Sequence, residues 1–195
     1  MADKQSRFPA LPLFILVIGT AAILIIALIA FSPMIFSNEI VTNIVQAKNI
    51  VDQSLGKDFK IEEVMEFSKN FYIMVQEENT GINAYELLVD RYTGRISSEP
   101  GPNMMWNQKY GHMMRIGNPT TSMPISSLEA SQYAQGWLDR YFSGAIVEEV
   151  NVFYGYYTVD VTKDGRIFGM LSVNGFSGDV WYHNWHGEFI RMEEY

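Results

Sequence analysis

The chain has 195 residues, no cysteine, 14% aromatic residues and a formal net charge of −8. Without cysteine it has no disulfide staple, no thiolate nucleophile and no lipid attached through sulfur. Two of the 14 basic residues (Lys4, Arg7) and one of the 22 acidic residues (Asp3) precede a long apolar run, which leaves 12 basic against 21 acidic residues beyond it; that balance repels nucleic acid and argues against a polynucleotide partner.

From Phe8 to Asn38 no residue is charged, and residues 13–31 are almost wholly Leu, Ile, Val, Ala and Phe. About 20 such residues in a helix cross a hydrocarbon core of ~30 Å, so residues 11–36 are expected to form a transmembrane helix, with residues 1–10 as a cytoplasmic N-terminus. A cleaved secretory signal has an apolar core of roughly 7–15 residues and a small-residue cleavage site. The nearest match to such a site, Ala30-Phe31-Ser32, runs straight into Pro33. Lys4 and Arg7 before the span, against Glu39 after it, place the N-terminus inside and the remainder outside a cell membrane crossed once.

Beyond the span, Ser37 or Asn38 is placed to cap a helix over residues 39–55, whose apolar positions Ile40, Val41, Ile44, Val45, Ala47, Val51 and Leu55 share a face. Three β-prone runs follow, at 61–67, 71–77 and 84–90, with a short closing run at 95–97; together they make a first unit, 37–98. An irregular segment, 99–125, is rich in Met, Pro and Gly. A second unit, 126–195, opens on Ser126-Ser127-Leu128-Glu129, the spacing of a capping box. Its helix ends at Gly144, and its β-prone runs lie at 145–153, 156–162, 167–173 and 179–183. A three- or four-stranded sheet needs a helix to cover one face, so each unit reads as helix plus antiparallel meander, an α+β class.

The two units use similar words in the same order. Glu62-Glu63-Val64 precedes Phe71-Tyr72 in the first, and Glu148-Glu149-Val150 precedes Tyr156-Tyr157 in the second. The first closes on Val89-Asp90-Arg91-Tyr92-Thr93-Gly94-Arg95-Ile96, the second on Val173-Asn174-Gly175-Phe176-Ser177-Gly178-Asp179-Val180. A unit stated twice is the folding unit. The helix, the meander and this ending resemble PepSY domains, which occur in propeptides of thermolysin-like proteases, in spore-germination proteins and in membrane-anchored proteins. The resemblance implies no catalytic residues, structural turns at Gly94 and Gly178, and a role in binding or restraining a neighbouring protein, often a peptidase.

Residues with chemistry of their own gather in two places. Segment 99–125 holds Met104, Met105, Met113 and Met114 with His112, Trp106 and Tyr110. Thioether and imidazole suit Cu(I), so this loop is an alternative copper site; as a plainer expectation, its methionines form an adaptable cover or contact surface, with Trp106 and Tyr110 as interaction residues. His183 and His186 have a His-x-x-His spacing that on a helix would share a zinc ion, but the segment reads as strand end and turn, so they are expected at a polar edge. The pairs Glu62-Glu63 and Glu148-Glu149 put adjacent carboxylates on opposite faces of a strand, which suits no acid–base pair. No nucleophile elbow, phosphate loop or dinucleotide fingerprint is present. The sequence therefore points to a non-enzymatic, extracytoplasmic protein-binding module, regulatory or accessory to a membrane complex, with no resident cofactor.

Overall fold

The computed structural model describes residues 40–113, 119 and 121–195. The expected span at 11–36, the candidate caps Ser37 and Asn38, and Met114 lie outside these residues. Among the described residues no helix is long and apolar enough to cross a membrane.

Helix α1 (Ile44–Asp52) begins at Asn43, whose side chain accepts the N–H of Gln46 at 3.0 Å; the helix starts later than expected because this asparagine supplies the cap. Strands β1 (Phe59–Phe67), β2 (Asn70–Glu77), β3 (Asn83–Asp90) and β4 (Ile96–Ser98) follow as an antiparallel meander. After a short helix, α2 (Pro102–Met105), helix α3 (Ser127–Tyr141) opens on Ser126 with the expected capping box to Glu129. Strands β5 (Ala145–Val152), β6 (Tyr156–Lys163), β7 (Arg166–Asn174) and β8 (Val180–Tyr182) form a second meander. The class is α+β.

The two meanders share their register in detail. A bulge sets Glu62 out of pairing between Ile61 and Glu63, and another sets Glu148 out between Val147 and Glu149. The last turns also match. The Asp90 carboxylate accepts N–H groups from Tyr92 and Thr93, and the Asn174 amide oxygen accepts those of Phe176 and Ser177. Gly94 (φ 65) and Gly178 (φ 76) then return their N–H to the carbonyls of Asp90 and Asn174. Positive φ at both positions is what makes glycine the fitting residue there.

Alternation along the strands gives each sheet two apolar faces of different use. Phe71, Ile73 and Val75 bury against Ile44, Ala47 and Val51 of α1. Tyr157, Val159 and Val161 bury against Ala130, Ala134 and Leu138 of α3. The opposite faces meet each other: Met65, Phe67, Tyr72 and Met74 of the first sheet pack on Phe153, Tyr156 and Met170 of the second. The described chain is thus layered helix, sheet, sheet, helix.

One strand departs from the sequence expectation. β9 (Phe189–Glu194) leaves the second unit and pairs antiparallel with β1, so the sheets run β4-β3-β2-β1-β9 and β5-β6-β7-β8. Residues 126–195 are therefore not a self-contained unit. Phe189 meets Phe67 edge-on at 5.7 Å, and the buried Glu66 carboxylate accepts from both Arg91 and Arg191 at 3.0 Å. These contacts fasten the strand although half its side chains face water. Deleting residues 189–195 is expected to abolish hydrogen-exchange protection of the β1 amides that face β9, with β6 amides still protected; amide exchange read by NMR checks this.

Candidate functional site

The layer between the sheets is the most unusual part of the molecule, because ionisable groups share it with the apolar residues. Glu63, Glu86 and Glu99 from the first half and Asp160, His183 and His186 from the second are all buried. A buried polar group must be partnered or it costs free energy, so each one's partners define what the layer can do.

Glu86 of β3 is fully buried and takes three hydroxyl donors: Tyr72 (2.9 Å) from its own sheet, and Tyr156 (2.7 Å) and Thr158 (2.7 Å) from the other. Burial, and then the charge on Glu99, push its carboxyl well above the usual range, against the pull of those hydroxyls. Its backbone is read by Asn103 of α2, whose Oδ1 accepts the Glu86 N–H (3.1 Å) and whose Nδ2 donates to the Glu86 carbonyl (2.9 Å). Asn107 donates in the same way to the Ala84 carbonyl at 2.7 Å. The start of segment 99–125 is therefore stitched along the edge of β3.

Glu99, His183 and His186 converge beside it. Glu99 follows β4; the two histidines follow β8, in the stretch that crosses to β9. One ligand atom from each lies within 4.8 Å of the others. His183 Nδ1 is 3.4 Å and His186 Nε2 is 2.9 Å from Glu99 Oε1. Both contacts are within hydrogen-bond distance, yet Glu99 Oε2, His183 Nδ1 and His186 Nε2 are left without a hydrogen-bond partner. The remaining ring nitrogens are engaged: His183 Nε2 with Ser172 Oγ (2.9 Å), and His186 Nδ1 with Asn70 Oδ1 (2.9 Å). Burial raises the Glu99 carboxyl, and the two imidazoles would hold it well below the usual carboxylate range only when protonated towards it, while burial lowers His186. The expectation of a polar edge at His183 and His186 is corrected here: the crossing to β9 folds them inward, where His186 stacks on Phe67 at 4.5 Å and His183 on Trp185 at 4.7 Å.

Glu63 and Asp160 form a second acidic locus on the facing sheets. Burial, then the charges of Asp160, Glu149, Glu194 and Glu62, push Glu63 up to about 9; burial, then Glu149 and Glu148, push Asp160 to about 7. Glu77, by contrast, is held down to about 2: burial is outweighed by hydrogen bonds from Lys109, Tyr110, Thr80 and Tyr154. Tyr110 is thereby tied inward, and it also meets Phe59, Tyr85 and Tyr154 edge-on. Trp106 is half-buried and meets Trp181 at 6.1 Å. Met104 and Met105 lie on α2, and the Met113 N–H donates to the Met104 carbonyl at 3.2 Å. His112 is exposed, and the Met113 side chain is 70% exposed. The structure does not bring His112 to His183 and His186, which gather with Glu99 instead. Nothing in the sequence singled out Glu99, Glu86 or Asp160, since their burial is set by contacts tens of residues away.

The surface offers one further feature. The outer edge of β1 is covered by β9, whereas among the described residues no strand runs along the equivalent edge of β5, which β3 meets only at Asn83, in an isolated parallel bridge to Phe153 just past its end. Gln135 of α3 fills the start of that edge, its amide bonding the Ala145 carbonyl (3.1 Å) and the Val147 N–H (3.0 Å). Phe153 donates inward to the Tyr156 carbonyl, so by alternation Val152 and Val150 turn their backbone groups outward.

No protein-family model matches the chain, and no curated protein matches it. Among solved structures it is similar to the C-terminal domain of Bacillus megaterium YpeB, at 12% identity and a TM-score of 0.27, over 72% of this chain and 62% of that one. The chain thus spans less than two thirds of that domain. A candidate lipoprotein from Clostridium difficile 630 is similar at 14% identity and a TM-score of 0.23, over 83% of this chain and 98% of that one.

Glu63 and Asp160 bind protons more tightly folded than unfolded, so the stability they contribute is complete below about 4 and is lost as pH rises through 7 and then 9. Glu77 works in the other direction, its contribution fading as pH falls from 4.5 towards 2. Denaturant midpoints are expected to peak at about pH 4–5 and to decline from there towards pH 9, with Glu63→Gln flattening the alkaline limb. Glu86→Ala strands three hydroxyls in the interior and is expected to cost roughly 3 kcal/mol or more, against a smaller loss for Glu86→Gln, in the same urea titrations.

Proposed function

We propose that the chain is a PepSY-like protein-binding module, held on the outer side of a membrane by residues 11–36, that receives an extended segment of another protein along β5. Uncharged residues from Phe8 to Asn38, basic ones before them and an acidic one after support the anchor. The matching turns at Asp90–Gly94 and Asn174–Gly178 support the PepSY reading, since the sequence motif is spent on the same hydrogen bonds in both.

The open edge of β5 carries the binding proposal. Strand addition needs a row of outward N–H and C=O groups beside side chains that set specificity. At β5 these groups run on from where Gln135 stops, next to the exposed Ile146 and the exposed pair Glu148 and Glu149. The acidic pair, on an acidic outer domain, selects a basic extended segment. The role that follows is a regulatory or accessory one towards an extracytoplasmic peptidase or a larger membrane complex, without catalysis by this chain.

Photo-crosslinking from positions 146 and 149 of the full chain in native membranes is expected to capture one partner. Val150→Pro, which removes an outward donor and leaves the inward ladder intact, should cut that product at least tenfold, while Val150→Thr preserves it. Equal capture in the proline variant would dismiss β5 as the docking edge.

A further inference from the structure

The Glu99–His183–His186 cluster has three buried ligand atoms that point at one another without bonding. In Asn70, Nδ2 donates to the Trp185 carbonyl at 3.2 Å, which can only accept; Oδ1 is therefore the atom facing His186, and His186 Nδ1 must carry the proton it donates. The neutral ring then presents a bare Nε2 to the Glu99 carboxylate 2.9 Å away. His183 is oriented the same way by a longer relay. Glu86 Oε1 accepts from Thr158 Oγ1 (2.7 Å), which leaves Thr158 to accept from Ser172 Oγ (3.4 Å), which in turn accepts His183 Nε2–H (2.9 Å). His183 Nδ1 is then bare as well, 3.4 Å from the same carboxylate. Lone pairs facing an anion in a dry interior need a positive charge among them.

Two donors on one tetrahedral zinc, each 2.0–2.1 Å from the metal, lie about 3.3 Å apart. The 2.9 and 3.4 Å separations bracket that value. Each putting its second ring nitrogen onto an oxygen is the arrangement that fixes tautomer and aim in histidine ligands, and Trp185 Nε1 donates to Glu99 Oε1 at 3.1 Å to steady the carboxylate. We propose that Glu99, His183 and His186 together hold one divalent ion of the zinc class between the two sheets. Two imidazoles and a carboxylate suit such an ion better than Cu(I), which favours thioether and thiolate. Because Glu99 follows directly on β4 and the histidines lie on the path to β9, the ion would clamp the crossing between the sheets. The proposal stands independently of docking at β5.

The test uses the full chain in detergent, stripped with a chelator and titrated with Zn²⁺ against a chromophoric competitor. One equivalent is expected, with a zinc-dependent rise in unfolding temperature. Co²⁺ in its place should give the intense visible bands of a tetrahedral ion with nitrogen and oxygen donors. Glu99→Gln and His186→Gln are expected to lower affinity at least 100-fold, and Asn70→Ala or Ser172→Ala roughly 10–100-fold, as outer-shell changes do. If the ligand variants fail to fold, the wild-type Co²⁺ spectrum and the zinc-dependent melting still decide. Four results would overturn the proposal: no zinc above background, zinc binding unchanged in the ligand variants, melting indifferent to zinc (a carboxylate–imidazole pair held by a shared proton), or uptake of Cu(I) alone that disappears with Met104, Met105 and Met113.

Discussion

Each sheet has one face that its helix covers and another that only the opposite sheet can cover, and the contact between those second faces governs the rest of the molecule. Apolar contact among Met65, Phe67, Tyr72, Met74, Phe153, Tyr156 and Met170 supplies the drive for it but no direction. Direction comes from Glu86, whose oxygens must meet a tyrosine of one sheet and a tyrosine and threonine of the other at 2.7–2.9 Å. A slip of an ångström or two would strand several hydroxyls at about 1–3 kcal/mol each, so the relative seat of the sheets is fixed to hydrogen-bond tolerance.

Against that shared frame, the two halves use equivalent positions differently. In the first sheet Met74 pairs with Glu86; in the second the order is exchanged, and Asp160 pairs with Met170. Tyr72 pairs with Leu88, but Thr158 pairs with Ser172. Each acid thus faces a methionine across the β2–β3 or β6–β7 ladder, but Asp160 also faces Glu149 of β5, where Met74 faces Glu63 of β1. The exchange also gives the second sheet the small hydroxyls that reach both Glu86 and His183. The outer edges differ in a parallel way, with β9 covering β1 and, among the described residues, a glutamine side chain and a single bridge from Asn83 at the two ends of β5.

Much of this was readable in the chain. Strands announced themselves where a helix-facing run such as Phe71, Ile73 and Val75 alternates with other residues, and turns where Gly94 and Gly178 follow a side chain able to accept two N–H groups. The capping box at Ser126 was readable for the same reason, since its chemistry is local. β9 was not, because Phe189-Ile190-Arg191-Met192-Glu193-Glu194 lies at a half-solvated edge and its partner is over 120 residues away. The spacing of His183 and His186 drew notice without its meaning, as the third member, Glu99, sits 84 residues before the first of them. Buried acids carry no mark in sequence; Glu63 and Glu149 occupy the same register position, yet only Glu63 is shut in.

The return of β9 also bears on the order of events as the polypeptide emerges. Glu63 waits for Glu194, a separation of 131 residues, before its side of the ladder closes. Loop-closure entropy makes such distant pairings slow relative to neighbouring hairpins. The second meander can zip from contacts between adjacent strands, while the older one keeps a raw flank until β9 arrives. A nascent chain of this protein therefore carries a sticky, half-finished border until residues 189–194 emerge, and a chaperone or a neighbouring copy has that whole interval in which to occupy it.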